Sequence, residues 1–411
     1  MMSAPVDRLR CVSRYRLQPT PAQERALLEH CAHARFVWNL AVEQHSHWRP
    51  GRAGAPGFAE QCRQLTEARA AFAWLAAGSI IVQQQALKDF ARAMANFFDG
   101  THGRPSWRKA GRHEGFRIVG VRGRHWAVRR LSRRVGEVRI PKVGWVRLRW
   151  SRPVPAGVKS FRITRDRAGR WHVAFAAIPA PIPAPGTGET VGVDRGVVVS
   201  AALSTGELLS APTLREPEQA RLRRLQRKLA RARRGSLRRA KVNAAIARLK
   251  AREADRRKDW VEKTSTRLAW QFDVIAVEDL NVRAMTRSAR GTRETPGRNV
   301  AAKAGLNRAI LASGWGQLVE RLEHKAPGRV VKVNPAFTSQ RCSACGTVER
   351  NSRESQALFR CRSCGYADHA DVNAARNIAR AAGRAVSARE GPRIAGPVHR
   401  EPQPALLSTQ S

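Results

Sequence analysis

Two close pairs of cysteines stand near the C-terminus, Cys342 and Cys345 in "CSACG" and Cys361 and Cys364 in "CRSCG", with fifteen residues between the pairs. Two such knuckles can present four thiolates to one tetrahedral ion, the ligand set of structural zinc, and a closed shell of thiolates leaves no position for a reacting water. One structural Zn²⁺ is therefore expected, with iron or a metal-free thiol cluster as the other readings. Three acids also stand where separate elements end: Asp194 after "VGV", Glu278 after "VIAV", and Asp371 at the head of "DVNAARNIA". Carboxylates arriving from separate elements can hold hard divalent cations through oxygen. Two Mg²⁺ ions about 4 Å apart would polarise water and stabilise a leaving oxygen. Each acid also has a plain reading, as a turn residue, a solvent-facing strand end and a helix N-cap, and spacing alone leaves both open.

Strands and helices must carry these side chains. Val191 and Val193 lead into Asp194, and a second β-branched run follows Gly196, so two strands joined by a tight turn are expected with the acid beside the turn. The segment "FDVIAVEDLNV", 272 to 282, is a short apolar run ending in acids, the pattern of a buried central strand whose C-terminal end opens on a site. An amphipathic helix from Leu306 to about His324 and the strand "VVKV" return the chain to the cysteines. Between them, residues 284 to 305 are polar, Gly-containing and Arg-rich, and a mobile loop is expected there. From Glu216 to Trp270 two Arg-crowded helices flank "RARRGS", and a charged helix face of this kind is by itself only a solvated one.

Towards the N-terminus, Thr20, Pro21 and Gln23 spell a capping box with proline at the first helical position. Leu27, Cys31, Ala34, Trp38 and Ala41 recur at helical spacing, placing Cys31 in a core, and helices are expected to about Phe98. Residues 115 to 177 change period: "VRLRW" alternates Val146, Leu148 and Trp150 with Arg147 and Arg149, and a hairpin is expected to turn between Asp166 and Gly169. The prolines of "IPAPIPAPGTG", 178 to 188, cannot continue a ladder and mark a linker. Beyond about Gly383 the sequence loses periodicity, and a disordered tail is expected.

A chain of 411 residues has room for roughly two to four domains. Its 76 Lys and Arg against 32 Asp and Glu give a net charge of +44, spread along the sequence, which calls for a polyanionic partner bound through phosphate neutralisation and counterion release. No apolar signal segment follows Met1 and no run of about 18 apolar residues occurs, so neither secretion nor membrane insertion is expected. The remaining cysteines, Cys11, Cys31 and Cys62, are scattered, which suits a reducing compartment. A cytoplasmic location is expected, nucleoid-associated in a prokaryote.

"VGVDRGV", "IAVEDLN", "TSQRCSACG" and "DVNAARNIA", together with "LQPTPAQ", "ARFVWN" and "GRPSWRK", occur in the order and context of the TnpB family, transposon-encoded relatives of type V CRISPR effectors, and the chain resembles that family from about residue 13 to 382. The resemblance implies an α/β fold plus a β-barrel: an RNase H-like RuvC nuclease domain with a zinc-ribbon insert, and an N-terminal wedge β-barrel with an inserted helical recognition segment. On that basis the wedge is expected at 1–20 and 101–177, the recognition segment at 21–100, the linker at 178–188, RuvC at 189–334 and 369–383, the target-binding ribbon at 335–368 and the tail at 384–411. The family's catalytic triad maps onto Asp194, Glu278 and Asp371, none of them replaced, with Asp279 and Asp368 matching no triad position.

The function implied is RNA-guided endonuclease activity for a transposable element. A guide RNA from the transposon end directs cleavage of double-stranded DNA beside a short adjacent motif, by Mg²⁺-dependent hydrolysis. Gln84 and Gln85, with Gln83 and Lys88 on the same helix, are candidates to read the motif, since amide side chains pair with adenine edges; an exposed polar face is their plain reading. Arg287, Arg290 and Arg293 are candidate phosphate contacts in a gating loop, against a plain basic loop. The rival readings are a transposition accessory and an RNA-guided repressor without cleavage, whose signature, loss of the triad, is absent. A tyrosine transposase has only Tyr15 and Tyr366 to draw on.

Overall fold

Thr20 opens the first helix as its composition requires: its side chain accepts from the Gln23 backbone, Gln23 reciprocates to the Thr20 amide, and Pro21 sits at the first turn. The computed structural model describes residues 12–47, 54–112, 114–177 and 180–389. Cys11 and the tail from 390 lie outside the described residues, as do two residues of the proline-rich linker. The chain forms two compact units: Met1–Pro181 with Pro212–Asp259, and Ile182–Ala211 with Trp260–Ser411. Residues 212–259 therefore group with the first unit and not with the nuclease segment 189–334 expected to contain them.

The first unit contains β1 (Val12–Gln18), α1 (Pro21–Ser46), α2 (Phe58–Ala71), α3 (Ala73–Ala77), α4 (Ile80–Phe98), β2 (Gly115–Val119), β3 (Ala127–Arg130), β4 (Val135–Ile140), β5 (Gly144–Arg149), β6 (Ser160–Arg165) and β7 (Trp171–Ala176), then α5 (Glu216–Ala230) and the first part of α6 (Leu237–Gln271). Its strands form one antiparallel sheet in the order β2-β6-β7-β1-β5-β4-β3, with β1 pairing β7 along most of its length and β5 at its end. Val146 and Leu148 are buried while Arg147 and Arg149 face out, and Gly169 closes the β6–β7 hairpin in a left-handed conformation, both as the alternation and turn residues dictate. Trp126 is fully buried and packs on Phe161 and Phe175, with ring centroids 5.2 and 5.7 Å away. Among the described residues the outer strands β2 and β3 are not paired with each other, so the expected barrel is seen as a seven-stranded sheet. Leu27, Cys31 and Trp38 of α1 and Phe90 of α4 join its core.

The second unit contains β8 (Thr190–Asp194), β9 (Ala201–Leu203), β10 (Leu208–Leu209), the end of α6, β11 (Val274–Glu278), α7 (Val282–Met285), α8 (Val300–Ser313), α9 (Trp315–Lys325), β12 (Val330–Val333), β13 (Leu358–Arg360), β14 (Ala367–His369) and α10 (Ala370–Arg389). Its main sheet runs β10-β9-β8-β11-β12, with β8, β11 and β12 parallel and β9 antiparallel to β8. Both faces of the central strands are buried, which explains their unbroken apolar sequences. Helix α10 lies against β8 so closely that a Cβ on Gly192 would fall 2.7 Å from the Ala379 amide nitrogen; only glycine fits there.

Three expectations are corrected here. The helix expected from Leu306 to His324 is two helices, because Gly314 adopts a left-handed conformation that ends α8 and starts α9. The expected loop 284–305 shortens accordingly: α8 already begins at Val300, and a small turn is fixed by the Gly297 amide donating to the Arg290 carbonyl. The last helix continues past Gly383 to Arg389.

Candidate active site

The register of the parallel pair places Val193 opposite Val277, so β8 and β11 deliver Asp194 and Glu278 side by side at their C-terminal ends. Asp371 occupies the first turn of α10, one residue inside the helix, and is not its N-cap. Asp371 and Glu278 are nearly buried, at 6% and 9% exposure. Burial pushes the Asp194 carboxyl up to about 7, and the charges of Glu278 and Asp371 push in the same direction. Arg353 and the backbone N–H of Arg195 pull it back down. The three acids, remote in sequence, thus share one electrostatic environment.

Each acid is held by residues that the pattern of acids did not reveal. Thr338 donates its hydroxyl to Glu278 Oε1 at 2.5 Å and is itself buried. Arg195, buried beside Asp194, donates through Nη2 to the Glu278 carbonyl, and burial lowers the pKa of its guanidinium while Glu278, Asp194 and Asp279 raise it. Arg353 pairs with Asp371, Nη2 to Oδ1 at 3.0 Å. It also lowers the Asp194 pKa, so one guanidinium serves two of the three acids. Arg195 and Thr338 were within sight in sequence, as neighbours of Asp194 in "VDRG" and of the first knuckle in "TSQRC"; Arg353, between the knuckles, carried no signal.

The donor set is the oxygen chemistry that a hard divalent cation takes: three carboxylates whose charges act on one another, with a positive side chain already standing against one of them. Among the described residues, the cysteines alone form a group of three or more His, Cys, Asp or Glu side chains whose ligand atoms all lie within 4.8 Å; the carboxylates are spaced more widely.

The four cysteines are built as a ribbon. Cys342 Sγ and Cys364 Sγ are 3.8 Å apart, Cys345 Sγ and Cys361 Sγ 3.6 Å. A tetrahedron with zinc–sulfur bonds of about 2.3 Å has edges of about 3.8 Å, whereas a disulfide would need about 2.05 Å, so the cluster can hold a zinc ion. Gly346 and Gly365 close the two knuckles in left-handed turns, donating to the carbonyls of Cys342 and Cys361. Asn373 of α10 accepts from the Ser343 amide and donates to the Arg341 carbonyl, tying the first knuckle to the helix that bears Asp371.

The other candidates lie elsewhere. Arg287, Arg290 and Arg293 are exposed. Lys88 is exposed and Gln84 and Gln85 are half-buried on α4, but Gln83 does not belong to an outer face: it is fully buried, donating to the Leu75 carbonyl and accepting from Arg69. No described helix is long and apolar enough to cross a membrane.

The fold is shared with a solved structure. Cas12f1, in its complex with sgRNA and target DNA, matches with a TM-score of 0.53 over 87% of this chain and 82% of that one, at 14% identity, which puts the protein in the Cas12f-like fold class. Family models match in three places: a helix-turn-helix domain at 12–51, a probable transposase at 173–289, and a Cas12f1-like TNB domain at 315–378. A putative RNA-guided DNA endonuclease, InsQ, of Escherichia coli K12 is 34% identical over 96% of this chain and 98% of its own length. One from Streptomyces pristinaespiralis is 33% identical over 91% and 90%. The chain belongs to the TnpB family of transposon-encoded proteins.

Proposed function

We propose that the protein is an RNA-guided DNA endonuclease of a transposable element, cutting double-stranded DNA beside a short adjacent motif. Two relatives over nearly the whole chain are described as putative RNA-guided DNA endonucleases. In this reading the second unit is an RNase H-like RuvC domain interrupted by a zinc ribbon that engages target DNA, and the seven-stranded sheet with its helices is a wedge barrel with a recognition segment.

The observation that carries the nuclease reading is the meeting of three acids from separate elements: β8 and β11 end side by side in Asp194 and Glu278, and Asp371 stands in the first turn of the helix packed on β8. Such crowding is costly unless a cation offsets it, and Asp194, Glu278 and Asp371 would hold magnesium. When bound, magnesium supplies Lewis acidity and charge neutralisation for phosphodiester hydrolysis. The chain's own residues do the positioning: Thr338 fixes one oxygen of Glu278, Arg195 fastens the end of β11, and Asn373 with Asn377 anchors α10 to the start of the ribbon. Guide pairing supplies sequence specificity, and the basic surface holds the heteroduplex through its backbone.

Asp194→Ala should abolish magnesium-dependent cleavage of guide-matched DNA while guide-RNA affinity stays within about twofold, since the acid touches no RNA in this reading. Loss of RNA binding with cleavage would make Asp194 structural. An RNA-guided repressor is the rival, and cleavage by the wild-type protein excludes it.

A further inference from the structure

The motif "GRPSWRK", 103–109, has no part in the nuclease site, and the structure gives it a distinctive setting. Trp38 Nε1 donates to the Ser106 carbonyl at 3.0 Å, Asn39 Nδ2 donates to the Arg108 carbonyl at 3.0 Å, and the Arg108 amide donates back to Asn39 Oδ1 at 2.8 Å. The Arg108 guanidinium lies 3.5 Å from the Trp38 ring centroid. The backbone on both sides of Trp107 is thus fastened to α1, yet the indole between is 55% exposed. A large apolar side chain on a fixed backbone and in water is ready to be covered, because little ordering remains to be done when a partner arrives.

Trp107 opens into a cleft of about 660 Å³ that Phe36, Leu40 and Trp74 also line, each more than 40% exposed. Phe36 and Trp74 meet edge to face with centroids 4.9 Å apart. Glu29 and Glu43 stand at the same cleft, and Arg35, which also lines it, has its charge engaged by Glu114 at 2.9 Å. Outside it, the irregular stretch from Gly103 to Arg112 carries Arg104, Arg108, Lys109 and Arg112 and no acid. Aromatic walls, carboxylates among them and cations alongside sort a nucleotide by its parts. The base stacks, its exocyclic amine meets a carboxylate, and the phosphates follow the cations. The carboxylates also repel a phosphate from the cleft, so the base must be the part that enters.

We propose that this cleft binds an unpaired, amino-bearing base of the guide RNA, stacked on Trp107. The inference rests on the RNA-guided reading. RNA is the source because its loops and ends offer unstacked bases, whereas duplex DNA keeps its bases paired. Uracil, with no exocyclic amine, is disfavoured.

The test uses the full chain without target DNA and a short single-stranded oligoribonucleotide of adenosines carrying one 2-aminopurine. Trp107→Ala should weaken binding about tenfold and abolish 2-aminopurine quenching, with the slope of log affinity against log salt unchanged, because stacking releases no counterions. Trp107→Phe should restore both. Lys109→Ala with Arg112→Ala should lower the salt slope and keep the quenching. A uridine oligomer should bind more weakly than the adenosine one, and Glu29→Gln with Glu43→Gln should narrow that gap. Wild-type affinity and quenching in Trp107→Ala would overturn the proposal. So would an equal loss on the matching deoxyribonucleotide, which would make the occupant a DNA strand, or on blunt RNA duplex, which would make the change structural. None of these readouts depends on cleavage, so they stand or fall apart from the nuclease assignment.

Discussion

Burial and the like charges of Glu278 and Asp371 push the Asp194 carboxyl up from its ordinary 3.8 to about 7. The linkage has a definite sign. The folded protein keeps this proton to higher pH than the unfolded chain does, so the associated stability is full below pH 3.8 and is lost as pH rises through about 7. In metal-free protein, Asp194→Asn should therefore raise the melting temperature at pH 8 and change it little at pH 4; the stabilisation at pH 8 is on the order of 2–4 kcal/mol. A thermal melt series against pH measures it, and magnesium should close the gap by stabilising the wild type. Thr338 offers a second test. Thr338→Val keeps the shape and leaves Glu278 Oε1 without its hydroxyl donor in a buried place, a loss of about 1–3 kcal/mol. Cleavage should fall while guide-RNA affinity holds; unchanged cleavage would mean that Glu278 needs no such support.

Elements whose signals are local were legible in the sequence, and relations between distant elements were not. The capping box at Thr20, the Asp166–Gly169 hairpin and the apolar run of β11 are each set by a few adjacent residues, and each formed where expected. Gly314 illustrates the limit: glycine inside an amphipathic pattern can be tolerated or can end a helix, and only the packing that drew it left-handed decided the matter. Gln83 is similar, since three successive glutamines look alike until a partner at Arg69 and another at Leu75 bury one of them. The parallel register that sets Asp194 beside Glu278 spans some eighty residues of intervening chain, and no local propensity encodes it. At the same scale stands the ribbon, which builds no core beyond the small cluster of Cys342, Phe359, Cys361 and Ala370 with Tyr366 against it. So little apolar burial makes the ion the main source of its order. Stripping zinc with a chelator, or Cys342→Ser, should lower the melting temperature and weaken target-DNA binding, with guide-RNA binding less affected. A melt unchanged by chelation would show that the thiols hold no structural ion.

Across the whole molecule the governing quantity is charge. The chain carries +44, and helix α5 shows how that charge is displayed: among its 15 residues none is buried. It is fastened to α6 by Glu218, which accepts from both Nη atoms of Arg256 at 2.6 and 2.9 Å. A helix that buries nothing gains little from packing, and its Arg-rich face stands open to a polyanion. Arg223 and Arg227, one turn apart, line a shallow open cleft with Gln226 and Ala230, a spacing that suits consecutive phosphates. Replacing both with alanine should weaken nucleic-acid binding nearly equally for matched and mismatched targets, because backbone contacts carry no sequence information. It should also reduce the slope of log affinity against log salt by about two, one for each phosphate no longer neutralised. Binding titrations over a salt series measure both. A loss confined to matched DNA would assign these arginines to base reading, and an unchanged slope would assign them to solvent.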